Sequence, residues 1–148
     1  MRLAIGSDHR GLRLKIRVEE LLKAEGYTYE DFGVFTEERA DYPLIAQKVG
    51  EAVSSGKFDR GILVCGTGIG MCIAANKVKG IRAATAFNAF SAERARMHND
   101  ANILCLGGEN DQSELKEMVN AFLKTEFEGG RYQERVDMLK EMENRNKI

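Results

Sequence analysis

The chain predicts an α/β fold, with a parallel sheet of five strands covered by helices on both faces. Three observations carry that expectation. Short apolar runs recur at Arg2–Gly6, Gly61–Val64 and Asn102–Leu106, each followed by a polar or glycine-rich turn. The stretches between the runs space their apolar residues along one helical face. Strands that alternate with helices in this way must pair in parallel, because each crossover returns the chain to the same edge of the sheet.

Taken in order, Arg2–Gly6 is the first strand and ends in Ser7-Asp8-His9. Leu14, Val18, Leu21 and Leu22 then mark a helix, and Gly26 suits its C′ position. Tyr27–Phe32 is the second strand. Pro43 suits the first turn of a helix that Ile45, Val49 and Ala52 continue to Gly56. Gly61–Val64 is the third strand, and a glycine turn leads from it into a helix reaching about Lys77. Ile81–Ala84 is a short fourth strand, Ala89–Met97 a helix by composition, and Asn102–Leu106 the fifth strand. Asp111 with Glu114 matches a capping box ahead of Leu115, Met118, Val119 and Phe122. The last segment, Arg131–Ile148, carries the stripe Tyr132, Val136, Leu139 and Met142. Such a terminal helix could cover its own sheet or reach a second subunit.

With 148 residues, one proline and no low-complexity stretch, the chain reads as one domain over residues 1–148. A net charge of −1 gives no electrostatic reason to expect nucleic acid or an acidic membrane as partner. No apolar run approaches the ~20 residues of a membrane span, and the N-terminus lacks a signal-peptide pattern, so a cytoplasmic protein is expected. Three cysteines without a CxxC pair, and two histidines, argue against a disulfide framework or a zinc site.

Chemistry concentrates in Arg60–Asn76, RGILVCGTGIGMCIAAN. A strand runs into Cys65-Gly66-Thr67-Gly68-Ile69-Gly70 and then into a helix start. Glycines at alternate positions let a ligand approach the backbone, and the unpaired N–H groups there suit an anion. A cysteine at that mouth is a candidate base or nucleophile, because thiolate character is favoured ahead of a helix. The bland reading is an inert buried thiol beside a tight turn. The pattern is neither GxGxxG nor a P-loop. A cysteine phosphatase would need arginine six residues after Cys65, where Met71 stands. A nucleotide-binding module without catalysis remains open, and nucleotide titration would detect it. Asp8, His9, Cys65–Gly70 and the residues after Leu106 all fall at carboxyl ends of strands, where parallel sheets bind ligands.

The segments Cys65–Ala84 (CGTGIGMCIAANKVKGIRAA), Ala95–Gly108 (ARMHNDANILCLGG), Asp41–Pro43 (DYP) and Glu128–Arg135 (EGGRYQER) resemble the type B ribose-5-phosphate isomerases. That family also includes galactose-6-phosphate and allose-6-phosphate isomerases. The likeness extends from Arg2 to about Leu139. It implies a Rossmann-like α/β/α subunit, a dimer or dimer of dimers with active sites at the interface, a sugar-phosphate substrate, and no metal or organic cofactor. It implies an aldose–ketose isomerisation between ribose 5-phosphate and ribulose 5-phosphate, with another sugar or sugar phosphate as the alternative. By position, Cys65 matches the base and Thr67 the residue assisting proton exchange. Gly66, Gly68 and Gly70 match the enediolate's anion hole, supported by Asn99. His98 matches the ring-opening histidine, Asp8 a hydroxyl contact and Tyr42 a pocket residue. His9, Arg131 and Arg135 match phosphate contacts, the arginines from the neighbouring subunit. Two positions depart: Glu109 stands where relatives commonly have a basic residue, and Arg10 where they have a small one. The expectation is that Glu109 points away and that His9, Arg131 and Arg135 suffice as cationic contacts.

Overall fold

The structure is a computed structural model that describes residues 1–145; the expected terminal segment's last residues, 146–148, lie outside the described ones. Five parallel strands, β1 (Arg2–Ser7), β2 (Thr28–Asp31), β3 (Arg60–Cys65), β4 (Ala83–Thr85) and β5 (Ile103–Gly107), form one sheet in the order β2-β1-β3-β5-β4. Six helices accompany them: α1 (Leu12–Ala24), α2 (Tyr42–Ser54), α3 (Ile69–Ala75), α4 (Ala89–Asn99), α5 (Leu115–Lys124) and α6 (Arg131–Arg145). The predicted α/β/α architecture is therefore present. The three central strands are buried on both faces, whereas the edge strands β2 and β4 are partly exposed. That is why the central strands read as continuous apolar runs and the edges read weakly.

Alternate residues of β3 enter two cores. Ile62 and Val64 join Val18, Leu22, Leu106 and Phe122 beneath α1, α4 and α5. Leu63 and Cys65 join Val49, Met71 and Ala75 beneath α2 and α3. Each fully buried large side chain contributes about 1.5–3 kcal/mol, so the strand is held from both faces. Cys65 thus leaves the sheet on the α2/α3 face.

Helix ends follow local chemistry, with one correction. Gly26 and Gly56 have positive φ just past α1 and α2, as C′ glycines do. Pro43 sits in the first turn of α2. The expected Asp111/Glu114 capping box does not form, because α5 starts only at Leu115. Asp111 instead accepts from the Ser113 N–H at 3.0 Å, and Glu114 accepts from the Ala89 N–H at 3.2 Å, at the start of α4. The capping box that does form is Asn88 with Ser91, also on α4. Along α6, Val136 is buried but Leu139 and Met142 are largely exposed, so only part of the stripe covers this chain.

The chain leaves β1 toward β2 on one side and returns to β3 on the other. The sheet order therefore reverses between β1 and β3, and the loops leaving these two strands diverge there. A crevice at such a point is where open α/β sheets hold ligands.

Candidate functional site

Three turns meet at the carboxyl edge of the sheet. After β1, Asp8 is nearly buried, and its Oδ1 accepts from the N–H groups of Arg10 and Gly11, both at 3.0 Å. Gly11 lies against the Val64 carbonyl so closely that any Cβ there would overlap it. The β1 turn is thereby pressed onto the end of β3. After β5, the Gly108 N–H donates to the Cys65 carbonyl at 2.8 Å and the Glu109 N–H to the Gly66 carbonyl at 2.9 Å. Asn110 Nδ2 donates to the Thr67 carbonyl at 3.1 Å. These bonds fix the cysteine turn from the β5 side.

Within that turn the Gly68 N–H donates to Cys65 Sγ at 3.1 Å. Gly68 has φ of 81°, which lets the chain turn back over the sulfur, and Thr85 Oγ1 donates to its carbonyl at 3.3 Å. Thr67 Oγ1 accepts from the Ile69 N–H at 3.2 Å. Among the described residues, the N–H groups of Gly66, Thr67 and Gly70 have no backbone or side-chain acceptor. The Tyr42 ring lies on Gly70, 2.9 Å from where a Cβ would stand. The result is a buried sulfur beside unpaired donors, floored by a tyrosine.

His9 Nδ1 accepts from the Ala40 N–H at 3.2 Å. That leaves Nε2 as the ring nitrogen available to a ligand. Glu109 differs from expectation. Its carboxylate does not point away; it lies over Gly66, where a Cβ would overlap it, and pairs with Arg10 at 3.2 Å.

The remaining candidates are elsewhere. Helices run antiparallel to the strands, so the end of α4 lies at the opposite, amino edge of the sheet. There Arg82, just ahead of β4, donates to the Asn99 and Asp100 carbonyls. His98 stacks on Tyr132 with ring centroids 4.2 Å apart, and Arg131 and Arg135 pack over the same tyrosine. The length of β5, at about 3.3 Å per residue, separates the two edges by roughly 15 Å. One chain thus gathers Asp8, His9, Tyr42, Cys65, Gly66, Thr67, Gly68 and Gly70 at one edge, and His98, Asn99, Arg131 and Arg135 at the other.

Several contributors are not legible in the sequence. Gly11, Thr85 and Asn110 hold the cysteine turn through backbone contacts that leave no mark there. Cys72, on α3, is a separate feature: its Sγ donates to the Ala83 carbonyl at 3.4 Å and accepts from Asn76 Nδ2 at 3.6 Å, and the neighbouring Cys105 thiol, with Thr85 and Asn76 assisting, holds it down to about 6 despite partial burial. Cys105 is fully buried and pushed up correspondingly. Among the described residues, no three His, Cys, Asp or Glu side chains converge to hold a metal ion, and no helix is long and apolar enough to cross a membrane.

A sequence model of the family described as Ribose/Galactose Isomerase matches residues 3–139. The chain is 44% identical to a protein of Listeria innocua named ribose-5-P isomerase B, over 99% of this chain and 100% of that one. It is 43% identical to Escherichia coli ribose-5-phosphate isomerase B, over 97% of each. It is also 43% identical to a D-erythrulose-4-phosphate isomerase of Pectobacterium atrosepticum, over 98% of this chain and 97% of that one. Among solved structures it superposes on Clostridium thermocellum ribose-5-phosphate isomerase B with a TM-score of 0.95 and 49% identity, covering 98% and 99% of the two chains. The Mycoplasma genitalium ribose-5-phosphate isomerase B with bound ribulose 5-phosphate gives 0.91 and 42%, covering 97% and 96%.

Proposed function

The chain belongs to the ribose/galactose isomerase family, and on that premise we propose that it interconverts ribose 5-phosphate and ribulose 5-phosphate as a single-domain enzyme. The observation that carries this reading is Cys65 Sγ at the sheet's switch point, receiving the Gly68 N–H beside donors that have no other acceptor. On the open-chain aldose, the Cys65 thiolate removes the proton from C2. The electron pair forms the C1–C2 double bond, and negative charge develops on the C1 oxygen. The Gly66, Thr67 and Gly70 N–H groups stabilise that oxygen, and fixed donors of this kind often lower such barriers more than any other group. The thiol then returns the proton to C1, and Thr67 relays the proton between the two oxygens. Asp8, through the oxygen not used in its turn, and Tyr42 contact the sugar.

His98, Asn99, Arg131 and Arg135 enter the site from a second copy of the chain. Two edges roughly 15 Å apart cannot serve one five-carbon substrate within a subunit, whereas a two-fold pairing brings one edge of each copy to the other. His98 opens the furanose, Asn99 steadies the enediolate, and the arginines with His9 Nε2–H hold the phosphate. The working unit is a homodimer, alone or paired into a tetramer, without a cofactor and in the cytoplasm.

The test is a direct assay of ribulose 5-phosphate formed from ribose 5-phosphate, run beside four-carbon and six-carbon aldose phosphates and the free sugars. A preference for the five-carbon phosphate supports the reading. The relative that acts on a four-carbon phosphate is as similar as one named for ribose 5-phosphate, so a preference for the tetrose phosphate would overturn the substrate and keep the reaction class.

A further inference from the structure

The turn after β1 and the turn after β5 face each other across the end of β3, and one side-chain pair joins them. Arg10 Nη2 donates to Glu109 Oε1 at 3.2 Å, with 61% of the arginine and 51% of the glutamate side chain exposed. So exposed a pair adds little to stability, and its location calls for another account. That location is the surface of Gly66. A Cβ on Gly66 would overlap the Glu109 carboxylate and would stand 3.5 Å from Arg10 Nε. The carboxylate therefore rests on the backbone next to Cys65, beside N–H groups that have no acceptor. The root of Glu109 is fixed by its N–H bond to the Gly66 carbonyl and by the Gly108 N–H bond to the Cys65 carbonyl. Only the exposed side chain is free to leave.

We propose that Glu109 is an internal anion covering the mouth of the site, which the substrate's phosphate displaces by taking Arg10 from it. The inference deepens the isomerase reading and rests on it for the identity of the displacing group. A phosphate dianion competes well for a guanidinium, because it offers two charged oxygens to the planar fork where the carboxylate carries one charge in all. A free sugar has no charge with which to take Arg10, and it meets Glu109 still in place. The pair thus selects for phosphorylated over unphosphorylated substrates, and Arg10 is a further substrate contact. Once released, the Glu109 side chain swings into solvent, and no bond is made or broken in the exchange.

The test uses inorganic phosphate as probe and calorimetry on the intact protein, with Glu109→Gln and Arg10→Ala. Glu109→Gln keeps the size of the side chain and removes its charge. It should bind phosphate roughly three- to thirtyfold more tightly than the native protein, with the gap narrowing at high salt. Arg10→Ala should bind it more weakly. With ribose 5-phosphate, the Glu109→Gln change should appear as a lower KM rather than a higher kcat. Phosphate bound equally or less tightly by Glu109→Gln would overturn the proposal and leave Glu109 at most a holder of Arg10. Native affinity in Arg10→Ala would overturn the transfer of Arg10. If Glu109→Gln tightens phosphate binding while no sugar phosphate is isomerised, the displacement stands and the isomerase reading falls. If the native enzyme isomerises ribose 5-phosphate and Glu109→Gln changes nothing, the reverse holds.

Discussion

The two edges of the sheet are built differently. At the carboxyl edge, three strand ends and the backbone bonds between their turns hold Cys65 in a nearly buried setting. At the amino edge, His98, Tyr132, Arg131 and Arg135 are arranged by stacking on an outlying helix, and those side chains remain partly or largely exposed. The first is a preorganised centre. The second is a set of adaptable side chains presented outward. The contrast teaches that the groups at the carboxyl edge are placed by the sheet itself, while those at the amino edge are placed by one another at the join of two helices.

The strongest test of this division is removal of the sulfur. Cys65→Ala should lower kcat about 10²–10⁴-fold with little loss of thermal stability, measured by the isomerase assay and a melting curve. Retained activity in a folded variant would remove the thiol from the mechanism and break the assignment of chemistry to the carboxyl edge.

Mixing tests whether the edges cooperate between copies. Cys65→Ala and Arg131→Ala/Arg135→Ala are each expected to be nearly inactive alone. After subunit exchange, half the dimers are mixed and each has one intact site, so about a quarter of native activity should return. His98→Asn should complement Cys65→Ala in the same way, since His98 shares its edge with the arginines. No recovery after verified exchange would mean that the edges do not work across subunits.

A smaller effect separates the roles within the amino edge. His98→Asn should reduce turnover of ribose 5-phosphate more than that of a four-carbon aldose phosphate, which cannot close the corresponding ring. Equal losses on the two would remove ring opening from His98.

The smallest effect concerns Cys72, on the helix that leaves the carboxyl edge. Held down to about 6, its thiol loses a proton as pH rises through that value. In a Cys65→Ser background, with Cys105 fully buried, iodoacetamide labelling should rise around pH 6 and level off above about 7. An ordinary thiol would keep gaining reactivity toward about 8.5. Labelling with that higher midpoint would break the link between Cys72 and Cys105.

What the sequence makes legible follows the same division. The apolar runs of β1, β3 and β5, and the glycine turn after Cys65, are local patterns, and they put Asp8, His9 and Cys65 at one edge correctly. The helix start at Leu115 escapes such patterns, because Glu114 is engaged by Ala89 on another element and local capping rules cannot register that. The direction of Glu109 escapes them too: its partner, Arg10, lies 99 residues away in the chain. His98 and Cys65 can be assigned to one reaction by resemblance, but residue spacing does not say that a single chain keeps them apart.

The bond from the Ala40 N–H to His9 Nδ1 carries a consequence of its own. That bond fixes which ring nitrogen faces the chain's own backbone. Turning the ring to present Nδ1 outward would leave the Ala40 N–H without its partner, and the connection from β2 to α2 would have to find another arrangement. Thermodynamic linkage makes the effect mutual. Whatever fixes the residue-40 backbone in its present place also holds the His9 ring in its present orientation, by the same factor. A single imidazole nitrogen thus couples the orientation of His9 to the order of a segment that contributes Tyr42 to the floor beneath the cysteine turn.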